Sequence, residues 1–126
     1  VFTKYGIEGS PVYFMNRFTR KFDFPLTIDI DLKPNLSEIE ILEQLKRSEK
    51  ISPILKKNLK LSTTAINLLK TLDKETYTNI AVLAKLIKSF PIKVLSFRPI
   101  DEVISTAGGV SFSALTRNLE LENFPL

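Results

Sequence analysis

Alternating hydrophobic and polar positions indicate that both ends of the chain are β-rich. From Leu26 to Leu32 every second residue is apolar, which predicts a strand with one buried face. Residues 92–98 have the composition of another strand, and alternation nearer the C-terminus predicts one or two more. Because the two β-rich ends bracket a helical segment, we expect residues 1–36 and 91–126 to pair in one small mixed or antiparallel, barrel-like sheet.

The middle of the chain, residues 37–90, has a helical period and contains no Gly. Apolar residues recur there at i, i+3, i+4 and i+7, which predicts four short amphipathic helices. Ser37 and Glu40 have the spacing of a capping box, and Ser62 is placed to cap a later helix. Such helices bury their stripes only by packing, so we expect a helical bundle inserted between the β-rich ends. The predicted fold class is α+β, as a single inserted domain over residues 1–126.

A further helix is expected near the N-terminus. Phe14, Phe18 and Phe22 recur at four-residue steps, the spacing of an apolar stripe on a helix. Ser10 as N-cap and Pro11 at the first helical position predict where this helix begins. Since Phe buries well without a hydrogen-bond partner, we expect most of the nine phenylalanines to lie in the core.

Composition narrows the chemistry. The chain has no Cys and no His, which removes thiol nucleophiles, disulfides and the usual general base near neutral pH. No apolar run approaches the roughly 20 residues of a membrane helix, so we expect a cytoplasmic protein without a membrane partner. Apolar residues at both ends, with Val1 in place of Met, indicate a fragment of a longer chain. We therefore expect no catalytic residues within these 126 positions.

Charge and acidic residues offer two weaker candidates. Residues 37–91 hold ten Lys or Arg and six Asp or Glu, a net charge of +4, and the remainder is neutral. A basic helical binding module for nucleic acid or an acidic protein partner is thus the alternative function. Few aromatic residues accompany these cations, which disfavours nucleic acid. Asp29 and Asp31 share one face of the predicted strand and would suit Mg²⁺ or Ca²⁺, or simply form its solvated face.

The glycines lie in two short motifs. Gly108-Gly109, between strand-like residues, would form a hairpin turn or let a flat ligand approach the backbone, and spacing alone leaves both open. Gly6 and Gly9 precede the predicted helix start, where free backbone N–H groups would suit an anion or an electron-rich ligand edge. A plain turn into the helix would need the same residues.

Both motifs resemble segments of the BaiN/YhiN-type flavoproteins, a family of NAD(P)/FAD-dependent oxidoreductases. The matching stretches are Thr3 to Pro11 and Ile100 to Val110. The resemblance implies an inserted middle domain that covers the flavin, shapes the substrate pocket and has the FAD-binding domain of the same chain as its partner. It also implies cofactor-facing roles for two sets of residues: Gly6 and Gly9, and Thr106, Ala107, Gly108 and Gly109.

The dinucleotide fingerprint of that family is missing. The four glycines of the chain form no G-x-G-x-x-G, so the site for the FAD pyrophosphate would lie elsewhere in a longer parent. We therefore expect FAD to bind in the full-length parent and not to these residues alone. The parent would be the oxidoreductase, and the fragment would be inactive.

Overall fold

A computed structural model describes residues 1–19, 21–48, 50–103 and 108–121. The chain forms two compact units, Val1–Ser96 and Phe97–Leu126. Strands and α-helices of the described residues lie in the first unit. The second unit contains two 3₁₀ turns, Ile100–Glu102 and Phe112–Ala114, and an isolated bridge between Leu115 and Leu121. The described residues near the C-terminus therefore form one isolated bridge in place of the predicted strands.

The first unit opens with a short antiparallel ribbon. Strand β1, Phe2–Thr3, pairs with β2, Gly6–Ile7, so that Phe2 lies opposite Ile7. The backbone N–H of Glu8 donates to the carbonyl of Val1 at 2.9 Å and extends this pairing by one position. The ribbon sets the direction in which the chain enters the first helix.

Helix α1 spans Ser10–Thr19. The carbonyl of Gly9 accepts hydrogen bonds from the N–H groups of Val12 and Tyr13, at 2.9 and 3.1 Å. Gly9 therefore occupies the cap position, and the prediction that Ser10 is the N-cap is wrong by one residue. The side chain of Ser10 is not needed to start the helix, because the Gly9 carbonyl accepts the first helical hydrogen bonds.

The two ends of the first unit pair as expected, in a second ribbon. Strand β3, Leu26–Ile30, is antiparallel to β4, Phe90–Val94, with Ile28 opposite Ile92. The prediction that the N-terminal strand pairs with a strand following the helices is confirmed, although β4 begins two residues earlier than predicted and includes Pro91. The ribbons β1–β2 and β3–β4 remain separate two-stranded sheets, and no closed barrel forms among the described residues.

In the described residues between β3 and β4 the chain forms five α-helices. They are α2 (Glu38–Leu45), α3 (Ile51–Pro53), which continues as a π-helical turn (Ile54–Asn58), α4 (Thr63–Leu69), α5 (Lys74–Thr78) and α6 (Ile80–Lys88). The apolar periodicity predicts four helices here and gives no sign of α5. No helix in the described part of the chain is long and apolar enough to cross a membrane.

Local hydrogen bonds fix where these helices begin. The Ser37 hydroxyl accepts from the N–H of Glu40 at 3.3 Å, and the Glu40 carboxylate accepts from the N–H of Ser37 at 2.7 Å, which confirms the capping box. Hydrogen bonds from the Ser37 N–H and hydroxyl hold the pKa of Glu40 below its ordinary value. Ser62 caps α4 as predicted, and Asp73 caps α5, where the Thr76 N–H lowers the pKa of the Asp73 carboxyl.

The hydrophobic core lies among the helices and at the first residue of β4. Of the described residues, seven with large side chains are fully buried there: Ile41, Leu45, Leu55, Leu59, Leu69, Leu83 and Ile87. The expectation that most phenylalanines lie in the core is wrong. Among the described phenylalanines only Phe90 is buried, because leucine and isoleucine stripes of the helices already fill this space.

Candidate functional site

The turn around Gly6 is held by local hydrogen bonds. The Thr3 hydroxyl donates to the Gly6 carbonyl at 3.3 Å and accepts from the Tyr5 N–H at 3.2 Å. Gly6 has φ +147°, a conformation that L side chains rarely adopt. The turn thus needs glycine at this position for backbone reasons alone.

Gly9 has φ +118° and serves as the helix cap. A β-carbon at Gly9 would lie 3.5 Å from the Val1 nitrogen, an ordinary van der Waals distance. Gly9 is therefore required by its backbone conformation and is bordered by the protein itself. This distinguishes it from Gly6, where a β-carbon would meet no atom within 4 Å in the described part of the chain.

The Gly108-Gly109 pair lies in the second unit with φ angles of +137° and +143°. A β-carbon at either position would meet no atom of the described residues within 4 Å, so each backbone has open space beside it in that part of the chain. The nearest described residues on the two sides, Val103 and Val110, are not in strands. Thr106 and Ala107, the other candidates of this motif, lie outside the described residues.

Helix α1 turns its polar side toward the protein. Val12, Asn16 and Thr19 are half-buried, whereas Phe14 and Phe18 are each 59% exposed. The two phenylalanine rings contact edge to face with centroids 5.5 Å apart. The expected apolar stripe is therefore present but faces away from the core.

An open groove of about 490 Å³ separates α1 from β3. Met15 and Phe22 contribute apolar surface from the helix side, and Leu26 and Ile28 from the strand. Asp29 also lines this groove. The sequence gives no signal for the groove, because α1 and β3 come to lie beside each other only when the chain folds.

Asp29 and Asp31 do not form a paired carboxylate site. Strand β3 ends at Ile30, and the Asp31 carboxylate accepts from the Lys88 ammonium at 2.5 Å and from the Lys33 N–H at 2.9 Å. Asp31 therefore links the end of β3 to the end of α6. No group of three or more metal-ligating side chains occurs among the residues that the structure describes.

The cations of the helical segment lie on its surface. Lys46 pairs with Glu43 at 2.9 Å, and Lys88 pairs with Asp31. Lysines of α3 to α6 that point into solvent are Lys56, Lys57, Lys60, Lys70, Lys74 and Lys85. This distribution matches a solvated helical face, and binding of an acidic partner stays a prediction.

Comparison with known proteins identifies the family. A family model described as "HI0933-like protein barrel and H2TH domain" matches residues 1–105. The match includes the Gly6–Gly9 motif and all the strands and α-helices described above, and it ends before Gly108. No curated protein and no solved structure matches the chain. The family is associated with FAD-binding flavoproteins. Because the match spans most of the sequence, the chain belongs to the HI0933-like flavoprotein family, in its barrel and H2TH domain.

Proposed function

We propose that the chain is the inserted middle domain of a BaiN/YhiN-type, NAD(P)/FAD-dependent oxidoreductase, where it covers the flavin and shapes the substrate pocket. The observation that carries this proposal is the family match over residues 1–105, which contains the open backbone at Gly6. FAD supplies the redox chemistry when bound, and the domain supplies position and exclusion of water. The domain by itself has no oxidoreductase activity.

The glycine segments suit the flat face of an isoalloxazine ring. Without a β-carbon, the backbone of Gly6 can approach a planar ligand closely, and no atom of the described residues fills the space beside it. The same holds separately for Gly108 and Gly109. Gly9 shapes the loop, and Thr106 and Ala107 extend the second segment along the sequence. These six residues form the cofactor-facing set of the proposal.

The chain does not suit the FAD pyrophosphate. A dinucleotide site needs a glycine-rich turn at a helix N-terminus following a strand, and the four glycines here form no such fingerprint. The proposal therefore assigns the pyrophosphate to an FAD-binding domain of the same protein. It follows that these 126 residues alone bind FAD weakly or not at all.

The first test compares the 126-residue chain with the full-length protein. We expect visible flavin absorbance and NAD(P)H-dependent flavin reduction in the full-length protein and neither in the chain alone. FAD that co-purifies stoichiometrically with the chain alone would contradict the assignment of the pyrophosphate site. A full-length protein without flavin would contradict the proposal as a whole.

The second test addresses Gly6 within the full-length protein. Gly6→Ala places a methyl group in the open space and strains the backbone at φ +147°, and it should weaken FAD binding about tenfold, which corresponds to about 1.4 kcal/mol. Thr3→Val is the matched control because it removes the hydroxyl hydrogen bonds of the same turn and adds no atom beside Gly6. Equal effects of the two variants on FAD affinity would show that only the stability of the turn matters.

A further inference from the structure

Helix α1 exposes the side that an isolated domain would bury. Its half-buried side consists of Val12, Asn16 and Thr19, and the Asn16 Oδ1 atom is buried with no hydrogen-bond partner among the described residues. Phe14 and Phe18 lie on the other side and are mostly exposed. A hydrophobic helix face oriented in this way is stabilised by burial only when another surface covers it.

The exposed side has the composition of the centre of a protein interface. Tyr13, Phe14, Met15, Arg17 and Phe18 all contribute to it, and α1 contains no Lys, Asp or Glu. Aromatic residues, Met and Arg are enriched at interface cores, where Lys and acidic residues are depleted. The Arg17 guanidinium lies 5.7 Å from the centre of the Phe14 ring, which is within the range of a cation–π contact.

The area of this surface is a large part of what one side of a stable interface buries. The exposed fractions of Tyr13, Phe14, Met15, Phe18 and Phe22 correspond to about 500 Å² when a fully exposed side chain is taken as about 200 Å². A standard protein interface buries about 800 Å² on each partner. The aromatic face of α1, defined by these five residues with Phe22 just after the helix end, would therefore form more than half of one side.

We propose that the aromatic face of α1 docks onto the FAD-binding domain of the same protein, on an apolar surface with a carboxylate opposite Arg17. This inference rests on the proposed function, in which the Gly6–Gly9 loop faces the flavin. Helix α1 begins one residue after Gly9, and at 1.5 Å per residue Phe18 lies only about 12 Å from Ser10 along the axis. The Gly6–Gly9 loop and the aromatic face of α1 would thus form one continuous surface toward the FAD-binding domain.

Two other occupants fit less well. In a symmetric pair of copies the aromatic face would meet itself, which brings two basic surfaces with Arg17 and Lys21 together. An interfacial membrane helix carries many Lys and Arg on its polar side, whereas Arg17 is the sole cation between Ser10 and Thr19. Both occupants are outcomes that the experiment below separates.

Hydroxyl-radical footprinting of the full-length, FAD-loaded protein tests the docking. Ile39, 74% exposed on α2, is the internal reference. After correction for intrinsic reactivity, we expect Phe14 and Phe18 to be oxidised at least tenfold less than Ile39. Comparable oxidation in a protein that retains FAD would overturn the docking and leave the proposed function intact. Absence of FAD from the full-length protein would overturn the proposed function, and the docking with it.

Variants give an independent readout. Phe14→Ser with Phe18→Ser should speed the release of FAD at least tenfold, whereas Ile39→Ser should leave it unchanged. Protection that appears only where sedimentation shows a dimer, or only with phosphatidylglycerol vesicles, would replace the FAD-binding domain by a second copy or a lipid surface. If the double variant does not fold, the footprint of the unsubstituted protein still tests whether the aromatic face of α1 is covered.

Discussion

The position of the core leads to a direct comparison of two substitutions. Leu83, in α6, is 0% exposed, whereas Phe18, in α1, is 59% exposed. Leu83→Ala removes fully buried carbon atoms and leaves a cavity between α6 and its neighbours, which lowers the free energy of unfolding by about 3 kcal/mol. Phe18→Ala removes mostly solvated surface and gains helix propensity, so its cost stays below about 1 kcal/mol.

Urea denaturation followed by far-UV circular dichroism measures both. With a denaturant slope of about 1.5 kcal/mol/M, Leu83→Ala should lower the midpoint by about 2 M and Phe18→Ala by less than about 0.7 M. The slope itself should stay constant, which shows that both variants unfold from the same native state. A loss for Phe18→Ala equal to or larger than that for Leu83→Ala would refute the core assignment. It would also remove the exposed face on which the docking proposal depends.

Three further predictions concern the backbone and the caps. Lys60 has φ +49°, and the next N–H, that of Leu61, donates to the Leu55 carbonyl at 3.0 Å, so Lys60→Gly should raise the free energy of unfolding by about 0.5–1 kcal/mol in the same urea assay. Asn79→Ala removes the amide oxygen that caps α6 and should cost about 1 kcal/mol, measured as a lower midpoint. The folded-state pKa of Glu40 lies below its ordinary value of 4.5, so its contribution to stability is present above that pH and is lost as the pH falls through the lowered pKa. Glu40→Gln should therefore flatten the acid limb of a stability-versus-pH curve, and an unchanged limb would contradict the capping role.

The helix starts were predictable where the signal is local. The Ser37–Glu40 box and the Ser62 cap depend on atoms within three residues of each other, and both occur as the spacing predicts. Helix α5 was missed because its five residues carry no apolar stripe, although Asp73 ahead of it is a cap signal. The pairing of β3 with β4 was predictable from the order of the segments, but its register was not.

The location of the phenylalanines could not be predicted from their spacing. Four-residue steps show that Phe14, Phe18 and Phe22 share one side of the N-terminal segment, but periodicity does not tell which side faces the protein. The leucine and isoleucine residues of the middle helices fill the core, so α1 packs through Val12 and Asn16 instead. Burial depends on competition between segments that are distant along the chain.

Part of the candidate site could be inferred from the sequence in the same limited way. That the paired glycines adopt positive φ follows from their type and setting, and Gly108 and Gly109 do so. Whether a glycine is crowded or open depends on atoms far away in the chain. Gly9 has the protein beside it and Gly6 has open space, and no spacing rule separates the two.

The open backbone at Gly6 and the aromatic face of α1 relate to a neighbouring surface for different physical reasons. Gly6 is glycine because its φ is +147°, and the open space beside it among the described residues leaves room for a flat ligand. An exposed pair of phenylalanines is unfavourable in water, so it requires cover. Only Ile7, Glu8 and Gly9 separate Gly6 from the start of α1, and a single neighbouring surface that carries a flat cofactor would satisfy both. Two unrelated partners would have to meet within about 12 Å along the same helix, and for that reason one FAD-binding domain is the simpler assignment.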